Sequence, residues 1–310
     1  MKKLLFTLLA GIIGFTSYSQ TATENGKSLI EAYIGPLGIS LGAALNNGWY
    51  NTAKPHSLGG FDITITTNIV MVPANAKTFN ITKSNGGTFT GGETPTILGS
   101  GGGAQVTFSS ESNDMPKGLN IPIIPLPMLQ AGVGLIKGTE LDFRYMPELK
   151  IGDAGKVGLF GIGLKHDILQ WLPIVDKIPI DLSIQTGYTK LSSEIELIDP
   201  SATMTTNPQA NLDVSATTVN LILSKKLLMF TPYLGLGYNS TTTTFNIDKN
   251  YSIAGQSIDV NELTKIDFES NNNFRANIGF RFNMAVIALQ ANYTFAEYPT
   301  ATLGVGVSLR

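Results

Sequence analysis

From residue 60 onward this chain alternates apolar and polar residues with a period of two, again and again, and no other feature constrains its fold as tightly. Successive side chains of an extended strand point to opposite faces, so such a segment meets two different environments. In GGFDITITTNIVMV, Phe61, Ile63, Ile65, Ile69 and Met71 alternate with Asp62, Thr64, Thr66 and Asn68. In GTELDFRYMPEL, Leu141, Phe143 and Tyr145 oppose Glu140, Asp142 and Arg144. PIDLSIQTGYTKL sets Ile180, Leu182, Ile184 and Tyr188 against Asp181, Ser183, Gln185 and Thr189. In NNFRANIGFRFN, Phe274, Ala276, Ile278, Phe280 and Phe282 oppose Asn273, Arg275, Asn277, Arg281 and Asn283. IALQANYTF and TLGVGVSLR close the chain in the same way.

Two architectures accommodate this pattern: a soluble sandwich, and a barrel with its apolar face to lipid and its polar face to a lumen. Composition separates them. Only 14% of residues are charged, against roughly 25% in an average soluble domain, and the polar positions are filled by Gly, Thr, Asn and Ser. A sandwich facing bulk water normally carries Lys and Glu there. The expected fold is therefore all-β, a transmembrane antiparallel β-barrel. At roughly 20 to 25 residues per strand and connection, the chain has room for about 12 to 14 strands. Trp49, Tyr50, Trp171, Tyr188, Tyr238, Tyr293 and Tyr298 fall near strand ends, as interfacial girdles do. The stretches 83–103, 199–211 and 248–272 resemble long external loops, and the Asn283-Met284 junction and AEYPT resemble short turns. Pro122, Pro125 and Pro127 remove ladder donors, which points to a loop there and a strand from Leu129 to Ile136.

The N-terminus, MKKLLFTLLAGIIGFTSYSQ, has Lys2 and Lys3, an apolar stretch from Leu4 to Phe15 and small or polar residues up to Gln20. That is the layout of a secretory signal, with cleavage expected near Gln20. The reading by segment is a signal peptide over 1–20, a plug or leader over 21–56 and an outer-membrane barrel over 57–310. Leu29, Ala32 and Tyr33 suggest a short amphipathic turn that Gly35 and Pro36 interrupt. With no cysteine in the chain, disulfides and thiolate chemistry are excluded. A formal net charge of −2 without basic clusters argues against nucleic acid as a partner.

The ordered set SLGAALNNGWYNTAKPH, GLIKGTELDFRYMPE and GLFGIGLKHDILQWLP resembles an uncharacterised family of Bacteroidetes outer-membrane proteins, domain of unknown function 6588. The resemblance covers nearly the whole mature chain and implies an outer-membrane β-barrel of a Gram-negative bacterium, without an assigned activity. A more distant, purely architectural likeness is to the long-chain fatty-acid transporters, whose barrels carry an N-terminal plug and admit hydrophobic substrates. No site residue carries over from that likeness.

Candidate chemistry is sparse. His56 and His166 are the only histidines, neither in a metal spacing, so no metal site is expected. His166 and Asp167 are strand neighbours and point apart, which argues against a Ser-His-Asp arrangement. No phosphate-binding glycine loop is present, and no cofactor is expected. Asp142, Arg144, Lys165, His166, Arg275 and Arg281 are read as polar groups lining the lumen, balancing one another's buried charge, and no enzyme activity is expected. The leading function is a channel or transporter for small or hydrophobic solutes, with outer-membrane lipid around it. The alternatives are a structural or adhesive barrel that binds partners through external loops and, behind it, a barrel enzyme.

Overall fold

A computed structural model describes residues 20–84, 89–108, 111–150, 155–172, 179–196, 209–247, 252–253, 256–257, 265–270 and 274–309. The signal peptide expected over 1–20 lies, but for Gln20, outside them, as does most of 199–211 and 248–272. Helix α1 spans Gln20–Asn46. The wall strands are β1 (Phe61–Met71), β2 (Ile123–Leu135), β3 (Thr139–Lys150), β4 (Lys156–Asp167) and β5 (Asp181–Glu196). They continue with β6 (Gln209–Ser224), β7 (Phe230–Ile247), β8 (Phe274–Met284), β9 (Ile287–Phe295) and β10 (Thr300–Leu309).

Each wall strand pairs antiparallel with its neighbour, and the ring closes where Phe61–Val70 of β1 meets Thr300–Leu309 of β10. Closure leaves no edge, so the backbone of the wall is satisfied within the sheet, as lipid requires. Ten strands close the barrel, fewer than the 12 to 14 expected. The residues that would have built more are spent elsewhere: on α1 and the segment after it, on the connection from 72 to 122, and on strands as long as the 18 residues of β7.

The alternation is realised across the membrane band. Ile63, Ile65, Phe143, Tyr145, Ile162, Ile184, Ile278 and Val305 are exposed on the outside, while Asp62, Thr64, Asp142, Arg144, Gln185 and Asn277 are buried inside. The proline-rich stretch departs from expectation, because β2 begins at Ile123 and not at Leu129. It pairs with β1 throughout, but its ladder with β3 starts only at Leu129, opposite Tyr145. Pro125 and Pro127 share one parity, so their missing donors fall on a single edge, the one β3 has left. The hairpin near 283 turns through Ala285-Val286, between paired Met284 and Ile287.

The two longest connections, 72–122 and 248–273, leave from one rim, together with 151–155, 197–208 and 296–299. The other rim has 136–138, 168–180, 225–229 and 285–286, of which only 168–180 exceeds five residues. By the rule that external loops are long and periplasmic turns short, the first rim is external. Towards that rim the strands reverse their polarity. The inner positions become apolar, with Leu126, Met128, Met146, Leu159, Leu191, Leu212, Val214, Ala216 and Phe245 buried. The outer positions become polar, as Lys190, Ser192 and Glu194 on β5 show. The external part of the wall is therefore built like a water-soluble protein, and α1 supplies its core through Leu29, Ile30, Tyr33 and Ile34.

The expected interruption at Gly35 and Pro36 does not occur, and α1 runs through both. Packing overrides local propensity here, since burial inside the barrel offsets the missing donor of Pro36. The connection 72–122 folds over the external mouth as two short ribbons, Thr78–Asn80 with Glu93–Pro95 and Gln105–Phe108 with Glu111–Asp114. It is tied to the helix where the Ile97 N–H donates to the Tyr33 carbonyl at 3.0 Å and Tyr33 Oη donates to the Lys117 carbonyl at 3.0 Å.

Trp49 and Tyr50 were expected in an interfacial girdle, but both are buried in the lumen, and Tyr298 is buried at the external rim. The indole of Trp49 lies in a slot of the wall where Gly163 and Gly187 present no side chain. A Cβ on Gly163 would stand 2.6 Å from Trp49 Cζ3, and one on Gly187 would also collide with the indole. Gly187→Val is expected to destabilise the barrel by about 1–3 kcal/mol through overpacking. A lowered urea midpoint followed by gel mobility of the folded barrel checks this, and an unchanged midpoint counts against the slot.

Candidate functional site

The polar interior is organised around Asn47, the first residue beyond α1. Its Nδ2 donates to the Ala43 carbonyl at 2.8 Å, closing the helix on itself. Its Oδ1 accepts from Arg275 Nη1 at 2.7 Å and from Thr294 Oγ1 at 2.6 Å. Its carbonyl accepts from Arg144 Nη2 at 2.7 Å and from Asn68 Nδ2 at 2.9 Å. A helix end leaves carbonyls without intrahelical partners. Here the wall supplies them, because Arg144 Nη1 also donates to the Leu45 carbonyl at 2.8 Å and Asn68 Nδ2 to that of Ala44 at 2.7 Å. The cation at the negative end of the helix dipole adds to the attraction.

Arg144 is held by its own surroundings as well. Its Nε donates to Gln130 Oε1 at 2.8 Å, and its guanidinium carbon lies 3.7 Å from the centroid of the Trp49 ring, a cation–π arrangement. Across the lumen, Arg275 Nε and Nη2 both donate to Asn220 Oδ1, at 3.0 and 2.6 Å. Two arginines from opposite walls thus grip one asparagine.

Nearer the periplasmic rim the groups are ionic. Three carboxylates converge over Gly132, where a Cβ would lie 2.9 Å from Asp142 Oδ1, 3.0 Å from Asp62 Oδ1 and 3.3 Å from Glu140 Oε1. Opposing them, Lys165 Nζ meets Glu140 Oε1 at 2.7 Å, His56 Nε2 meets Asp62 Oδ2 at 3.2 Å, and Arg281 Nη1 lies 3.7 Å from the same Asp62 oxygen. The segment after α1 takes part directly. The His56 N–H donates to Glu140 Oε2 at 2.7 Å, and Arg281 Nη1 donates to Asn51 Oδ1 at 2.6 Å. Further along, Tyr50 Oη donates to Asn277 Oδ1 at 2.9 Å, the Ala53 N–H to Ser224 Oγ at 3.0 Å, and Ser183 Oγ to the Ala53 carbonyl.

Of the six residues singled out from the sequence, Asp142, Arg144, Lys165, Arg275 and Arg281 are buried on the inner face. His166 differs, because it follows Lys165 on β4 and the period of two carries it outward. There its Nε2 accepts from Trp171 Nε1 at 2.9 Å and its Nδ1 pairs with Thr139 Oγ1 at 2.9 Å. His56, Asp62 and Glu140 complete the ionic cluster and were not among the six, although Asp62 and Glu140 stand on the polar parity of their strands. Asn47 carried no signal of its own. Among the described residues, no group of three His, Asp or Glu side chains is placed to hold a metal ion. What the arrangement does chemically is neutralise charge against charge and bind one segment of chain to the wall.

A closed barrel with an apolar belt, a polar interior and an internal segment defines a protein of the outer-membrane barrel class. The chain belongs to a family of unknown function, DUF6588, whose description matches residues 1–309. No curated protein sequence matches it. Solved structures similar in outline include Ail, the attachment invasion locus protein of Yersinia pestis, at 10% identity and a TM-score of 0.28 over 81% of this chain and 99% of that one. The outer membrane protease OmpT from Escherichia coli gives 7% identity and a TM-score of 0.35, over 85% of this chain and 100% of that one. The Ralstonia pickettii toluene transporter TbuX gives 7% and 0.28, over 89% and 97%. Scores this low carry no functional argument, and the barrel assignment stands on the strand ladder itself.

Lys165→Met leaves Glu140 as an uncompensated buried charge and is expected to cost about 3–5 kcal/mol. The double variant Lys165→Met/Glu140→Leu removes both charges and should recover most of that loss. Urea unfolding of the three proteins in one detergent checks the pair, and a double variant no better than the single one would contradict the assignment.

Proposed function

We propose that the protein is exported, loses its N-terminal signal near Gln20 and works in a Gram-negative outer membrane as a channel or transporter for small or hydrophobic solutes, without catalysing a reaction. In this reading residues 21–56 are a plug and the described conformation is the closed one. The observation that carries the reading is how the segment is held. Towards the periplasm it is bound by side-chain hydrogen bonds and ion pairs around Asn47, Asn51 and His56, contacts that water or a polar solute can replace one by one. It joins no strand of the wall.

A structural or adhesive barrel is the second reading, favoured by the wall's fit around Trp49 and by the folded connection 72–122 over the mouth. Such a barrel would stay shut and present that connection to partners.

Conductance separates the two. In planar bilayers the intact mature chain is expected to sit near background. The variant lacking residues 21–56 should give resolved single-channel steps, and Arg144→Gln/Arg275→Gln, which loosens the grip on Asn47 without shortening the chain, should give intermittent openings. If all three are silent to ions and to apolar dyes, transport is excluded and the adhesive reading remains.

A further inference from the structure

The periplasmic rim carries an unusual set of side chains. Leu58, Ile136, Trp171, Leu172, Leu228 and Val286 are all exposed there, Leu228 at 92%. Lys54, Lys137, Lys225 and Lys226 stand exposed among them. The described acids of this rim are Asp167 and Asp181, both half-buried. Asp167 Oδ1 accepts the Leu169 N–H at 2.9 Å and Asp181 Oδ2 lies 3.5 Å from Ser224 Oγ. At the external rim Lys156 faces Glu194 at 4.0 Å and Lys190 faces Asp213 at 3.9 Å. Among the described residues of this rim, four exposed lysines thus stand beside the apolar tips of the periplasmic end against two half-buried acids.

The height of the apolar belt says where that end lies. Outward aromatic residues mark its external limit at Tyr145, Phe160, Tyr188, Tyr238 and Phe295. From Tyr238 to Leu228, or from Tyr145 to Ile136, a strand tilted about 40° and rising about 3.3 Å per residue climbs roughly 23–25 Å. The apolar band of an outer-membrane barrel is about 25 Å tall. The belt thus reaches full height only if the turn tips themselves are counted in it. Backbone conformation points the same way. Lys137, Leu228 and Ala285 occupy the left-handed region, with φ of 54°, 57° and 53°, where Asn or Gly is the ordinary choice at a turn facing water.

We propose that this rim is a phospholipid-binding surface: the turn tips dip into the periplasmic leaflet, and Lys137, Lys225 and Lys226 take the phosphates of anionic phospholipids. His166 and Trp171 form its aromatic part, the Trp171 indole stacking on the imidazole at 6.1 Å between centroids. The inference rests on the barrel standing in an outer membrane, and it is independent of whether any solute passes through it.

Trp171 is the natural probe, because the other tryptophan, Trp49, is enclosed in the lumen. The mature barrel is refolded into phosphatidylcholine vesicles containing phosphatidylglycerol, with either lipid brominated, and the Trp171→Phe variant supplies the Trp49 background. Lipid brominated near the glycerol end of the acyl chain should quench Trp171, and brominated phosphatidylglycerol should do so preferentially. Each of Lys137→Gln, Lys225→Gln and Lys226→Gln should reduce that preference about fivefold. Quenching by aqueous iodide in place of brominated lipid would set the rim in water as a surface for a soluble partner, and equal quenching by both lipids would remove the anionic headgroup; either result overturns the proposal. Leu228→Asn gives an independent sign. It lowers the urea midpoint if the tip is in lipid, and raises it, by relieving the left-handed backbone, if the tip is in water. Conductance of these variants is expected to match that of the parent chain, so a failure here leaves the transport reading to its own test.

Discussion

A barrel that turns its apolar side to lipid must do something with the polar side, and the solution to that problem shapes the rest of this molecule. Threonines, asparagines, carboxylates and guanidinium groups that face inward need water or hydrogen-bonding partners. In this chain the partners are largely its own N-terminal segment. Asn47 lies where two walls come within reach of one residue, and its amide and carbonyl accept from Arg144, Arg275, Asn68 and Thr294. Those bonds finish the helix, neutralise its terminal dipole and fix the height at which Trp49 meets Gly163 and Gly187.

The same segment serves two different media. Its upper part is a core helix, packed on leucines and valines of strands that have left the membrane band. Its lower part is an irregular thread whose contacts are polar and ionic. The strands change accordingly, keeping their period of two while exchanging which parity is apolar. On β5, Tyr188 faces outward and Thr189 inward, whereas two residues further Lys190 is outward and Leu191 inward. On β5 no bulge marks the exchange, since its ladder with β6 runs unbroken from Asp181 to Glu196, whereas on β3 the register with β4 shifts between Met146 and Leu149. On β5 only the side chains record where lipid gives way to water.

Much of this was legible in the sequence. Period-two alternation with uncharged polar residues specified strands, their inward and outward faces and the lipid-facing barrel, and five of the six polar residues it singled out are buried inside. His166 was displaced by simple parity, one position after Lys165. Strand number was less legible, because a count by length cannot tell a wall strand from the folded connection at 72–122. The helix was obscured by Gly35 and Pro36, which mark breaks in water but lose that meaning where the surroundings offer the backbone no other partner. Trp49 and Tyr50 looked like girdle residues because their sequence neighbours are turn-like. Their burial follows from glycines over a hundred residues away on β4, β5 and β7, a long-range complementarity that no local pattern encodes.

The direction in which α1 is threaded ties the contents of the lumen to the seam of the wall. Its N-terminal turns lie among the external strand ends, whereas the chain returns to the periplasmic rim to begin β1, which seals against β10. The segment that occupies the lumen and the strand that closes the ring are consecutive in the chain. The barrel is in that sense tethered to its own filling, since the stretch inside it runs directly into the strand that shuts it.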